Sequence, residues 1–240
     1  WDNGILWVGT GENNSSRSSY SGIGILKTNA DGSDWKNVGL NDSHHIGKIM
    51  INPENSDHVV IGVTGHLYSS NNNRGIYVTK DGGESWDRTL YVDDVSGIID
   101  MTHTPGDFNT MYAASWEKDR KAWNFDEDGH NSGIYKSYDG GENWNLISTS
   151  ESGFPNGAGT GRIGLAVFDK EIVYAVVDNQ NFRESSDKKE DQGLSKESFV
   201  GMTTENFNKI SDDDLKVFLR NNRFPSKYKL ENIKKDINDG

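Results

Sequence analysis

Up to about residue 180 the chain alternates short apolar, β-branched and aromatic runs with glycine- and polar-rich breaks, and beyond that point the apolar spacing becomes helical. The β-prone runs fall into recurring sets. One set is predicted at 46–51, 98–103 and 163–168, a second at 6–10, 59–64, 111–115 and 172–177, and a third at 24–26, 75–78 and 133–135. The last begins each time with Gly-Ile. After Asn179 the alternation stops, and 183–196 reads as a polar, charged linker. Two helices follow. Ser211 is placed to cap a helix carrying Leu215, Phe218 and Leu219 on one side, and 228–237 places Leu230, Ile233 and Ile237 together after the break at Pro225.

Each member of the third set leads into the same eight positions, S/T-x-D-x-G-x-x-W. They read Thr79-Lys80-Asp81-Gly82-Gly83-Glu84-Ser85-Trp86 and Ser137-Tyr138-Asp139-Gly140-Gly141-Glu142-Asn143-Trp144. A weaker copy runs from Thr28 to Trp35, with Gly32 in register and Ala30 in place of the aspartate. A short Asp or Ser/Thr side chain bonds turn N–H groups, and Gly supplies positive φ, so the pattern predicts a hairpin turn between two strands, with the Trp packing between sheets. The copies start at 28, 79 and 137, repeats of 51 and 58 residues, slightly longer than the ~40–50 of a four-stranded propeller blade.

These residues resemble the Asp-box, or bacterial neuraminidase, repeat. Leu6-Trp7-Val8-Gly9-Thr10-Gly11-Glu12, His44-His45-Ile46-Gly47-Lys48-Ile49 and Gly161-Arg162-Ile163-Gly164-Leu165-Ala166-Val167 resemble its sortilin-like branch, often labelled glycosyl hydrolase. The resemblance spans 1–180. It implies an all-β fold, a partial β-propeller of four-stranded Asp-box blades, in a secreted, periplasmic or cell-surface protein. It makes Thr79, Asp81, Gly83, Trp86, Ser137, Asp139, Gly141 and Trp144 structural residues, away from any functional centre.

The strand sets sum to about three and a half blades in 1–180, with 181–240 a linker plus helical insertion in the last blade. Propellers protect their edge strands by closing, so the remaining blades are expected in a longer parent chain. Residue 1 leads almost directly into a strand, which predicts a natural N-terminus further upstream.

Composition narrows the partners. A formal charge of −12 disfavours nucleic acid and anionic membranes, which recruit basic patches. No apolar run approaches the ~18 residues of a membrane span. With no cysteine, disulfides and thiolate metal sites are excluded.

Antiparallel order puts the Asp-box turns on one face and the irregular loops, 11–21, 65–74 and 116–132, on the other. Binding residues concentrate on such loops. The candidate ligand face therefore comprises Glu12, His45, His66, Trp116, Glu117, Arg120, Trp123 and Arg162, where aromatic surface beside cations suits a glycan or peptide. Glu12 and Glu117 are the first glycosidase candidates. Catalytic pairs stand ~5–9.5 Å apart, whereas these lie two blades apart, so a true pair recruits a carboxylate from elsewhere. Asp100, at the register of Lys48 and Leu165, is either a second acid or a structural carboxylate. A sialidase needs several arginines around the substrate, and Arg162 alone is well placed.

No cofactor is expected, and sequence spacing shows no metal-ligand cluster. Asn124-x-Asp126-x-Asp128-Gly129 resembles the start of a calcium loop but has Tyr135 rather than Glu at position twelve. The sequence thus favours a ligand-binding module, with a glycoside hydrolase as the alternative and a structural assembly factor as a third class.

Overall fold

The computed structural model describes residues 4–181 and 193–239, which divide into two units, Trp1–Phe182 and Arg183–Gly240. In the first, antiparallel strands form two complete four-stranded sheets. One has the order β4 (Ile46–Asn52), β5 (Asn55–Val63), β6 (Gly75–Thr79), β7 (Asp87–Leu90). The other has β8 (Ser96–Thr104), β9 (Asp107–Glu117), β12 (Gly133–Ser137), β13 (Asn145–Leu146). Before them stands the three-stranded sheet β1 (Ile5–Gly9), β2 (Ile25–Asn29), β3 (Lys36–Asn37), and after them the pair β14 (Thr160–Val167), β15 (Val173–Asn179). A hairpin that the apolar pattern does not predict, β10 (Asp119–Arg120) with β11 (Phe125–Asp126), rises from the 116–132 loop.

The central strands bury both faces, which is why they read as nearly continuous apolar runs. Along β5, Val59, Ile61 and Val63 pack against Trp7 and Ile25 of the first sheet, while Val60 turns the other way onto Ile98, Met101 and Met111 of β8 and β9. Along β9, Met111 and Ala113 share that second core, whereas Ala114 and Trp116 join Ile99, Ile134 and Ile163 in a third. The period-2 alternation of strands thus sends neighbouring residues into successive inter-sheet cores. Sheets approach so closely at the inner strands that a Cβ on Gly47 of β4 would lie 2.5 Å from the Ile98 carbonyl oxygen of β8.

Each full Asp box closes the turn as its chemistry demands. Thr79 Oγ1 donates to Asp81 (2.6 Å) and accepts from Gly83 N–H (2.9 Å), and Asp81 also takes Ser85 N–H (3.0 Å). In the second box Ser137 Oγ donates to Asp139 (2.8 Å), which further accepts from the N–H of Glu142 (3.1 Å) and of Asn143 (3.0 Å) and from Asn143 Nδ2 (2.8 Å). Gly83, at φ +94°, has no room for a side chain because Trp7 of the preceding sheet lies against it. Trp86 then packs edge-on to Trp7 at 6.2 Å and donates to the Val38 carbonyl (2.7 Å). Trp144 donates to the Gly141 carbonyl of its own turn (2.9 Å) and, more weakly, toward Thr89 Oγ1 of its preceding sheet (3.3 Å). The weak copy differs. Asp31 takes Ser33 N–H (3.0 Å) in place of the missing Asp at position 30, the buried Thr28 hydroxyl has no hydrogen-bond partner among the described residues, and Trp35 is 48 % exposed.

Burial alone would push the Asp139 carboxyl up, but the Asn143, Ser137 and Glu142 hydrogen bonds outweigh it and hold it below its usual range. Asp139→Ala is therefore expected to cost about 1–2 kcal/mol at neutral pH. Because the folded-state pKa is depressed, this stabilisation is present above the ordinary carboxylate value and vanishes as pH falls through the folded one. Urea unfolding at pH 7 and in acid checks it, since equal losses at both would sink the assignment.

The second unit contains α1 (Thr204–Asn208), α2 (Asp212–Asn221) and α3 (Leu230–Asp239). Ser211 caps α2 by accepting from Asp214 N–H (3.1 Å). Phe199, Phe207, Phe218 and Phe224 form its aromatic core, Phe199 and Phe218 lying 4.7 Å apart. The short α1 is absent from the predicted helices, and α3 starts two residues later than the apolar pattern suggests. The predicted 183–196 linker lies, as far as residue 192, outside the described residues.

Candidate functional site

A cleft of about 740 Å³ lies between β2–β3 and the Asp-box turn 81–86, on the face opposite the long loops. Its lining is structural, with Lys27 donating to the Gly82 carbonyl (2.7 Å). The chemistry gathers instead on the loop face. There Tyr68 donates to the Arg17 carbonyl (2.7 Å) and ties the 11–21 loop to the 65–74 loop. The latter winds around Arg74, which is 1 % exposed. Its guanidinium donates to the carbonyls of Thr64 (2.5 Å), His66 (2.8 Å) and Ser69 (3.0 Å). Burial pushes this cation down to about 10, against the fields of Asp93 and Asp94, so it remains charged at neutral pH. Lys118, 4 % exposed, aims its ammonium at the same His66 carbonyl (3.3 Å). Burial and the Arg74 charge drive it down to about 7, against Asp119.

The predicted ring of polar residues is only partly a surface. Glu12 is exposed, and its backbone N–H donates to Nδ1 of His45 (3.0 Å). His45 itself is buried, and burial together with the charges of Lys118 and His44 lowers it to about 4. It is a neutral acceptor that braces the Glu12 turn. Trp116, expected on the ligand face, instead belongs to the third core at 2 % exposure, donating to the Glu127 carbonyl (2.7 Å) with Phe125 edge-on at 5.9 Å. Glu117 is half-buried and takes Asn131 N–H (2.8 Å), stitching its loop. Arg162 is exposed, with its guanidinium carbon 5.6 Å from the Trp116 ring centre. His66 is half-buried and faces Asp42.

Asp100 answers the question its register raised. One oxygen pairs with Lys48 Nζ (3.2 Å) and the other takes Leu165 N–H (2.9 Å), so it couples the inner strands β4, β8 and β14. The residues that resemble a calcium loop fall on separate elements. Asp126 stands in β11 opposite Asp119, Asp128 accepts from Gly159 N–H (2.8 Å), and neither joins a three-ligand group among the described residues.

Two of the predicted residues do converge. The β10–β11 hairpin, closed by Lys121 N–H to the Asn124 carbonyl (2.8 Å), lifts Trp123 to its tip, where the side chain is 86 % exposed. Arg120 lies over Phe125 with its guanidinium carbon 4.5 Å from the ring centre. Together with Arg17, Lys121 and Asn124 these residues line an open cleft of about 340 Å³. Among the described residues Lys121 pairs with Asp119 (2.8 Å), while Arg17 and Arg120 have no carboxylate partner, and Arg120 Nε is buried without a hydrogen bond. Arg17 escapes sequence reading because nothing in its serine-rich loop signals that it meets a hairpin more than a hundred residues away.

Four-stranded antiparallel sheets whose last two strands are joined by Asp-box hairpins, with Trp86 and Trp144 packed toward the preceding sheet, define an Asp-box β-propeller architecture. The chain belongs to the sortilin family: the Sortilin-Vps10 family model, described as sortilin, neurotensin receptor 3, matches residues 24–224. No curated protein matches the chain. Solved structures similar to it include an ancestral GH74 enzyme (17 % identity over 67 % of this chain and 20 % of that one, TM-score 0.45). A GH74 xyloglucanase from Xanthomonas campestris is similar at 15 % identity over 75 % of this chain and 27 % of that one, TM-score 0.43. YCF48 bound to D1 peptide is similar at 15 % identity over 67 % and 43 %, TM-score 0.39. The chain thus spans less than half the length of each of these structures.

Proposed function

We propose that this chain is a ligand-binding propeller module whose loop face holds an acidic peptide in the cleft of Arg17, Arg120, Lys121, Trp123 and Phe125. The observation that carries the reading is a cluster of three cations beside an exposed tryptophan on a chain of net charge −12. Such a cluster focuses a positive potential in an otherwise repulsive field. Unpaired guanidinium groups offer bidentate hydrogen bonds to carboxylates, and Trp123 and Phe125 supply apolar docking surface. A peptide provides both kinds of group along one strand. The family's description as a receptor supports binding over catalysis.

We carry two further readings with it. The exposed Trp35 holds the register of Trp86 and Trp144, each seated on a preceding sheet, and Phe168, Tyr174 and Val176 are exposed on or beside β14–β15. Both surfaces fit further blades of a longer chain, with the helical unit inserted after β15, where a third strand would follow. An extracytoplasmic location fits the family, and no helix among the described residues is long and apolar enough to cross a membrane.

Calorimetric titration with acidic, neutral and basic peptide pools tests the function. Acidic peptides are expected to bind, and Arg120→Gln or Trp123→Ala to weaken them about tenfold or more without moving Tm, because neither side chain is core. Equal binding by all pools, or variants that bind as the wild type does, would overturn the reading. Release of reducing sugar from a polysaccharide panel would replace it with a glycoside hydrolase.

A further inference from the structure

Apart from the cationic cleft, the loop face carries a second cluster that no sequence motif announces. Asp42 and His44 lie in the segment leading into β4, and His66 lies in the 65–74 loop. One potential ligand atom from each falls within 4.8 Å of the other two. His66 Nε2 stands 3.2 Å and His44 Nε2 3.6 Å from the same Asp42 Oδ1. Donors around a four-coordinate zinc, bound at ~2.0–2.1 Å, lie about 3.3 Å apart.

The surroundings prepare these atoms rather than satisfy them. Asn73 Nδ2 donates to the other Asp42 oxygen (2.7 Å), leaving Oδ1 turned to the imidazoles. Nδ1 of His66 meets Ser69 Oγ (3.0 Å). When that nitrogen carries the proton, Nε2 directs a lone pair at Asp42 Oδ1 and at the Asp42 carbonyl, 3.2 Å from each. In the other tautomer Nε2–H donates to Asp42; in this one the facing acceptors make a seat for a cation between them. The two imidazoles stack at 3.6 Å with 15° between planes, so one ring turns about its side-chain torsions for both in-plane lone pairs to meet a single ion. His44 is held there at φ 57°, ψ −48°, a conformation costly for any residue with a Cβ. His66 is held by its loop, whose carbonyls converge on Arg74.

We propose that Asp42, His44 and His66 form a site for one divalent ion of the zinc class. Two imidazole nitrogens and one carboxylate oxygen match zinc and its borderline neighbours, whereas calcium and magnesium call for oxygen-rich shells. Ser69 and Asn73 act from behind, orienting His66 and Asp42 as outer partners orient metal ligands. Three protein ligands leave a fourth position open to water or to a donor from a bound ligand.

The test is calorimetric titration of the chelator-treated full chain with Zn²⁺, with Ca²⁺ and Mg²⁺ as separate arms. Absorption of the Co²⁺-substituted protein reports coordination. One Zn²⁺ per chain is expected, with visible d–d bands for Co²⁺ and weak or no binding of the two alkaline-earth ions. His66→Gln and Asp42→Asn are expected to abolish the Co²⁺ bands and weaken Zn²⁺ at least about tenfold, and Ser69→Ala to weaken it about tenfold with the fold intact. Metal-free melting curves confirm that each variant is folded. A wild type that takes up no Zn²⁺ would mean that a shared proton occupies the gap, and Zn²⁺ uptake unchanged in His66→Gln and Ser69→Ala would place the ion elsewhere. Either result overturns the site, and neither bears on peptide binding.

Discussion

Replacing Arg74 by alanine is expected to destabilise the propeller unit by about 3–5 kcal/mol, measured as a fall in the urea midpoint at unchanged slope. The side chain is fully buried, and three carbonyls, those of Thr64, His66 and Ser69, accept from it. Truncation leaves a cavity and removes the guanidinium from all three carbonyls, of which that of His66 keeps the Lys118 ammonium, and each abandoned buried acceptor costs about 1–3 kcal/mol before solvent repairs it. Arg74→Lys is expected to recover only part of the loss. One ammonium cannot reproduce a planar fork reaching three oxygens from two nitrogens. A loss below about 1 kcal/mol for Arg74→Ala would show that the 65–74 loop is held by its own turns and that the guanidinium is dispensable.

Lys118 carries the second large effect, and it is read in pH. The residue is 4 % exposed and its ammonium feels the Arg74 charge, and burial lowers it to about 7 from an ordinary 10.5. A depressed lysine binds its proton more tightly in the unfolded chain. Between about pH 7 and 10 the unfolded state therefore holds more protons, and stability rises with pH at up to about 1.4 kcal/mol per unit. Below the folded value both states are charged and the burial cost is fully present. Lys118→Met, which keeps the volume and discards the charge, is expected to be more stable than the wild type at pH 7 and to lose about 2–3 kcal/mol of the wild type's gain between pH 7 and pH 9. The window avoids the lowered histidines His44, His45 and His58, which titrate below it, and the raised Tyr77 and Tyr135, which titrate above it. Parallel pH profiles for the two proteins would show that Lys118 reaches solvent when charged.

Both residues meet at one atom, the His66 carbonyl oxygen, so the two experiments also probe how firmly the proposed ion site is mounted. A loop built around one buried arginine has little freedom to move its histidine. That rigidity is what a ligand at the edge of a binding face requires.

What the sequence determined alone is whatever local interactions settle. The Asp-box turns were legible because Thr79, Asp81, Gly83 and Ser85 bond one another within a handful of positions. The strands were legible because two buried faces leave a continuous apolar run, and the Ser211 cap because its acceptor serves a donor three residues on. Tertiary structure decided what depends on distant neighbours. Trp116 and Trp123 sit seven positions apart with the same side-chain chemistry, yet the end of β9 turns one into the core and the short hairpin raises the other to its tip. Trp35 matches Trp86 in register and differs in burial, because seating that ring takes a preceding sheet. Arg74 and Lys118 read as solvent-facing charges until the fold wraps carbonyls around them. Asp42 and His66, separated by 24 residues, become neighbours only when β4 and β5 pair and bring both their flanking segments to one face. Turn chemistry is written in consecutive residues, whereas burial and convergence belong to the packing of sheets, to which no single segment holds the key.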